Sequence, residues 1–148
     1  MFAVAQLLHL AAAIVWLGGM AFVLLALRPV AIAQLAPPVR LPLLTAVLAR
    51  FFQAVWLSIA VLLSTGLAML LPVGMARAPL GQHLMLATGM VMALIFAYLF
   101  FGPFRRLRQA VAAGNWPAGG VQIGRLHRGV VANFVLGWLA VAAVVLLR

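Results

Sequence analysis

The chain has 148 residues, of which 68% are hydrophobic, and its mean hydropathy is +1.27. It has ten arginines, no lysine and no aspartate or glutamate, so its formal net charge is +10. Because soluble domains are only about half apolar, this composition excludes an ordinary soluble protein and predicts one compact membrane domain over residues 1–148.

The residue types that are missing exclude most enzyme chemistry. Without Asp, Glu or Cys, the chain cannot form a carboxylate proton relay, a Ser-His-acid triad, a Mg²⁺ or Ca²⁺ cage or a thiolate metal site. Hydrolytic enzymes are therefore excluded, and an oxidoreductase is expected only if a redox cofactor is bound. The arginines lie between apolar segments instead of on a polar face with aromatic residues, so nucleic acid is not an expected partner.

The first two apolar segments predict membrane-spanning helices over residues 2–27 and 47–71. No charged side chain precedes the first segment, and it is too long for a cleaved signal peptide, so we expect a retained helix. Arg28-Pro29 should end this span, because the residue before a proline disfavours helix. Arg50 should lie just inside the start of the second span, where its side chain can reach the lipid headgroups.

A third span is expected at residues 80–102. The stretch that follows, about 103–114, has the pattern of an amphipathic helix lying at the membrane surface. It would present Arg105, Arg106 and Arg108 to anionic lipid headgroups.

The fourth span is expected at residues 129–147. The fold class is therefore an all-α integral membrane protein, with four transmembrane helices in an antiparallel bundle. Gly129, Asn133 and Gly137 recur at i, i+4 and i+8 and predict close helix packing, with Asn133 as an intramembrane polar residue. Similar ridges of small residues on other helices favour a homo-oligomer.

The arginines predict the orientation of the bundle. The side shared by the first and third loops holds eight of them, whereas the opposite side holds only two. The positive-inside rule therefore predicts that both termini lie outside the cytoplasm. The eight are Arg28, Arg40, Arg50, Arg105, Arg106, Arg108, Arg125 and Arg128, and the two are Arg77 and Arg148.

With this orientation, two of the three histidines lie in the outer half of the bilayer on different helices. His9 is about two turns into the first span, where it shares a helix face with Trp16 and Met20. His83 is in the first turn of the third span. Ionisable residues inside a membrane are candidates for a functional site. His127, beside Arg128 at the opposite end, is expected to face lipid phosphates.

The residues leave three interpretations of His9 and His83 open. Imidazole together with methionine thioethers suits Cu(I), and the further contacts would then be Met85, Met75, Met20, Met69 and Trp16. Two histidines on facing helices also suit axial ligation of haem b, and hence electron transfer or quinol oxidation. In the third interpretation the protein is a scaffold or assembly subunit, and His9 only bonds a neighbouring helix, for instance Ser64.

Eight segments in this order resemble the copper-resistance D (CopD-like) family of bacterial inner-membrane proteins. They are HLAAAIVWLGGM from His9, LRP from Leu27, RFF from Arg50, STGL from Ser64, HLM from His83, FGPFRRL from Phe101, NWPAG from Asn115 and NFVLG from Asn133.

The resemblance covers nearly the whole chain, as a short four-span member. It implies a multi-pass protein of the bacterial inner membrane that binds or transports copper and has a periplasmic copper-binding partner. It also implies that His9 and His83 contact the metal.

Overall fold

The structure is a computed structural model that describes residues 2–72, 74 and 77–147. Its regular elements are four helices, each long and apolar enough to cross a membrane, which confirms the predicted all-α, four-helix fold. They are α1 (Phe2–Gln34), α2 (Pro37–Leu70), α3 (Leu80–Ala112) and α4 (Trp116–Leu146). Two residues named in the sequence analysis, Met75 and Arg148, lie outside the described residues.

The helices form two antiparallel pairs. α1 packs along α2, α3 packs along α4, and α4 also contacts α1 and α2. The N–H of Gly81 at the start of α3 donates to the carbonyl of Leu147 just after α4, at 3.1 Å. We call this end of the bundle, which contains His9 and His83, the termini end. The opposite end, which contains Arg28, is the arginine-rich end.

α1 does not end at Arg28-Pro29, where the sequence predicted the end of the span. A π-helical turn at Val23–Leu27 precedes the proline, and the N–H of Arg28 bonds the carbonyl of Val23. This bond reaches one residue further back than in an α-helix. The wider turn accommodates a proline, which has no N–H and would otherwise clash with the preceding turn. The helix therefore continues to Gln34.

α3 passes a proline in the same way. A π-helical turn at Phe100–Phe104 contains Pro103, and the helix continues as Arg105–Ala112. This amphipathic segment is helical, as expected, and it packs along α4. Its Leu107 is fully buried.

The second helix begins earlier than predicted, at Pro37 instead of near residue 47. Proline is well suited to the first turn of a helix, where its missing N–H would have no partner in any case. Prolines do not add to the apolar pattern from which the span was predicted, so the sequence did not reveal this start. Arg50 therefore lies roughly 20 Å from the first residue of the helix at 1.5 Å per residue. Its side chain is exposed.

An aromatic cluster fills the middle of the bundle. Phe52 of α2 is 1% exposed, and its ring centroid lies 5.2 Å from that of Phe96 and 4.9 Å from that of Phe104, both on α3. Trp16 of α1 meets Phe96 edge-on at 6.3 Å. Edge-to-face pairs at such distances stabilise beyond their buried area. The cluster lies deeper in the bundle than His9, on the side away from the termini end.

Candidate functional site

The face of α1 that carries His9 points into the bundle. Trp16 and Met20 on this face are 5% and 2% exposed, and Ala12 between His9 and Trp16 is also buried. His9 itself is half-buried, because it lies nearer the end of the helix. The expected common face of His9, Trp16 and Met20 is confirmed.

His9 is hydrogen-bonded to α2. Its Nδ1 atom lies 2.9 Å from Oγ1 of Thr65. The Thr65 hydroxyl is in turn 2.6 Å from the carbonyl of Val61, one turn back on its own helix. A threonine hydroxyl has a single hydrogen, and a carbonyl can only accept, so Thr65 donates to Val61.

These bonds assign the tautomer of His9. Because the hydrogen of Thr65 is already directed at Val61, the Thr65 oxygen must accept from His9, and Nδ1 carries the ring proton. In the neutral imidazole Nε2 is then left with its lone pair. Metal-binding histidines typically have this arrangement, with one ring nitrogen donating to the protein and the other facing the ion.

Gly66 lets the imidazole ring of His9 pack closely against α2. A Cβ atom built on Gly66 would lie 3.4 Å from Cε1 of His9. The imidazole therefore packs directly on the backbone of α2, beside Thr65. A Cβ at position 66 would be in van der Waals contact with the ring.

His83 has the same tautomer in a different setting. Its Nδ1 atom lies 3.2 Å from the carbonyl of Pro79, four residues earlier in the chain. Since a carbonyl can only accept, Nδ1 carries the proton and Nε2 again keeps its lone pair. This hydrogen bond is exposed, whereas that of His9 is partly buried.

The two histidines are not joined by a hydrogen bond in the described part of the chain. Gly81 packs against the carbonyls of Ala143 and Leu147 at the end of α4. His83 follows two residues later, which turns its side chain by about 200° at about 100° per residue. It therefore projects from the side of α3 opposite the contact with α4, while His9 contacts α2.

The methionines differ in their distance from His9. Met20 is buried about three turns deeper on the same helix, beyond Trp16. Met85 is half-buried on α3. Met69 lies one turn beyond Thr65 on the same side of α2 and is also half-buried. Met69 is therefore the thioether whose helix position best matches His9.

No group of three or more His, Cys, Asp or Glu side chains that could hold a metal ion occurs among residues 2–72, 74 and 77–147. An ion bound here would depend on few imidazoles and on thioethers. Such a donor set suits a soft ion with low coordination requirements, as Cu(I) is, and does not suit Mg²⁺ or Ca²⁺.

Two other polar residues from the sequence analysis lie away from His9. Ser64 is exposed and bonds the carbonyl of Val61, so Thr65, not Ser64, is the partner of His9. Asn133 is 2% exposed and donates from Nδ2 to the carbonyl of Met92 at 3.1 Å, which joins α4 to α3. The arginines expected at headgroups are all exposed: Arg105, Arg106, Arg108 and Arg128.

Thr65 is the functional candidate that the sequence reasoning did not select. Ser58 and Thr65 are seven residues apart and share a helix face, and both are buried. Their spacing indicated an inward face of α2, but the choice between adjacent Ser64 and Thr65 depended on the rotation of the helix.

Comparison with curated proteins and with solved structures gave no match. A family model described as copper resistance protein D matches residues 45–147. The match covers well over half of the chain, including Thr65 and His83, and begins after α1 and His9. The protein is therefore a member of the copper resistance protein D family.

Proposed function

We propose that the protein binds copper at the termini end of the bundle and passes it along or across the membrane, with Nε2 of His9 as a ligand. The observation that carries the proposal is the chain of hydrogen bonds from His9 through Thr65 to Val61. It holds the ring in the tautomer that a metal ligand requires. Membership of a copper resistance family supplies the identity of the metal.

The second ligand in this proposal is a methionine thioether. Met69 lies one helical turn from Thr65 on the side of α2 that meets α1, and it is half-buried. An imidazole and a thioether together favour Cu(I) over harder ions. A site with so few ligands holds its ion weakly enough to release it, which suits transfer better than storage.

His83 would be an earlier contact for the incoming ion. Its Nε2 lone pair is available, and its hydrogen bond to Pro79 is exposed at the same end of the bundle as His9. We propose that copper reaches His83 first and His9 second. In a bacterial inner membrane with the termini outside, copper would arrive from a periplasmic copper-binding protein.

Copper binding by the purified protein in detergent tests the proposal, with Cu(I) supplied under reducing conditions against a competing chelator. His9→Ala should weaken binding by at least tenfold, since even changes to residues that orient a ligand cost roughly 10–100-fold. His127→Ala is the matched control, because it removes the same side chain at the arginine-rich end. It should bind copper as the unaltered protein does.

An absorption spectrum of the same preparations separates the remaining functions. A Soret band that disappears in His9→Ala would replace the proposal with a haem b protein. Absence of both haem and copper, with His9→Ala behaving as the unaltered protein, would leave a scaffold or assembly subunit.

A further inference from the structure

A cleft opens at the arginine-rich end, on the other side of the aromatic cluster from His9. It lies between α1, α2 and α4 and has a cavity of about 30 Å³. Its walls are mainly aliphatic. They include Val23, Leu44, Leu48 and Leu126, and the two polar residues among them are Arg28 and His127.

Both polar side chains in the cleft bury a nitrogen that has no hydrogen-bond partner among the described residues. These atoms are Nε of Arg28 and Nδ1 of His127. Arg28 follows directly on the π-helical turn of α1, which fixes where its side chain leaves the helix. The chain has no aspartate or glutamate to pair with the guanidinium. A ligand from outside the chain would give both nitrogens a partner.

The chemistry of the cleft specifies that partner. A guanidinium binds phosphate oxygens with strong, charge-assisted hydrogen bonds, and the cavity has room for one such oxygen. The aliphatic walls offer nothing to a free ion, but they suit an acyl chain. Arg125 and Arg128, exposed on the same stretch of α4 as His127, add positive charge at this end of the bundle.

We propose that this cleft binds one anionic phospholipid. The phosphate oxygen accepts from Nε of Arg28 and contacts Nδ1 of His127, and an acyl chain lies along the half-buried wall residues Leu24 and Ile123. The bound lipid would hold α1, α2 and α4 together at the level where α1 passes its proline. This site is separate from the copper site and does not depend on it.

Native mass spectrometry of the full chain, titrated with phosphatidylglycerol in detergent, tests this proposal. Loss of one charge-assisted hydrogen bond should weaken lipid binding by about tenfold in Arg28→Gln. Arg77→Gln is the matched control, because it removes the same charge from an exposed position at the termini end, away from the cleft. It should retain the lipid. Equal retention by both variants would overturn the proposal.

A second variant keeps both polar groups and fills the space instead. Ile123 is a half-buried wall residue of the cleft, so Ile123→Phe should also reduce lipid retention while circular dichroism and elution volume stay unchanged. Millimolar inorganic phosphate separates the two sources of a phosphate oxygen. If it displaces the lipid from the unaltered protein, the cleft is a free-phosphate site and the lipid assignment is wrong.

Discussion

His9 of α1 and Thr65 of α2 form the one hydrogen bond between two side chains in the described part of the molecule. The other side-chain hydrogen bonds there pair a side chain with a backbone group. In a bundle held together mainly by apolar contacts, this bond is therefore a specific constraint on one ring. Removing this hydrogen bond should change the orientation of the His9 ring more than it changes the fold.

Thr65→Val tests whether the constraint serves a ligand. Valine keeps the shape of threonine but cannot accept the proton of His9 Nδ1, so the ring loses its orientation. We expect copper affinity to fall roughly 10–100-fold, as for other residues that orient a metal ligand. Chelator competition measures the change. Ser64→Ala removes the neighbouring exposed hydroxyl and should have no effect; an equal loss in both variants would contradict the orienting role.

Copper should also stabilise the folded bundle. A ligand that binds the native state alone adds about 2.7 kcal/mol at a concentration 100 times its Kd. We expect Cu(I) to raise the midpoint of thermal unfolding, and a strong chelator to reverse the rise. At the same copper concentration a tenfold weaker site adds only about 1.4 kcal/mol by the same relation, so the shift in His9→Ala should be about half as large or smaller. A copper-dependent shift of full size in this variant would place the ligands elsewhere.

Gly81→Ala should destabilise the contact between the start of α3 and the end of α4. The added Cβ would lie 2.5 Å from the carbonyl oxygen of Ala143 and 2.7 Å from that of Leu147, and backbone atoms can yield only if the helices separate. We expect a loss of about 1–3 kcal/mol, as for other overpacked sites.

Gly89 supplies the control for this change on the same helix. A Cβ atom there has no heavy atom within 4 Å, so Gly89→Ala should be neutral or stabilising by up to about 1 kcal/mol, because glycine is a poor helix former. Thermal unfolding in detergent distinguishes the two. Equal stability of both variants would mean that α3 and α4 do not meet as closely as described.

Asn133→Ala tests the polar link between α4 and α3. The variant loses the hydrogen bond to the carbonyl of Met92, and comparable bonds inside membrane proteins contribute about 0.6 kcal/mol on average and up to about 1.7. We expect a loss of stability in this range. The effect should be modest, since Oδ1 of Asn133 is buried without a partner in the described structure and its removal offsets part of the cost. Unchanged unfolding would show that the bond adds nothing.

The number and faces of the helices were predictable because they depend on periodicity. His9, Trp16 and Met20 follow the helical repeat, and Gly137 lies against α1 and α3 as its spacing with Asn133 predicted. Helix ends were less predictable. Prolines normally stop a helix, yet the π-helical turns let α1 and α3 pass Pro29 and Pro103.

The relative placement of the His9 and His83 side chains could not be predicted from the sequence either. A membrane helix that is apolar on all sides carries little signal for its rotation. The predicted orientation of the bundle placed both histidines near the same end. The side of α3 that carries His83, however, depends on how Gly81 packs against α4. That contact is a property of the assembled bundle, not of either segment alone.

The lengths of the helices have a consequence for any protein that docks at the arginine-rich end. Helices of 31 to 34 residues rise about 47–51 Å, whereas the hydrocarbon layer is about 30 Å thick. The surplus helical turns must emerge from it, and residues 35–36 and 113–115 are the short connections between them. The positive charges therefore sit on rigid, preformed helical turns, and a partner would bind them without the entropic penalty of ordering flexible loops.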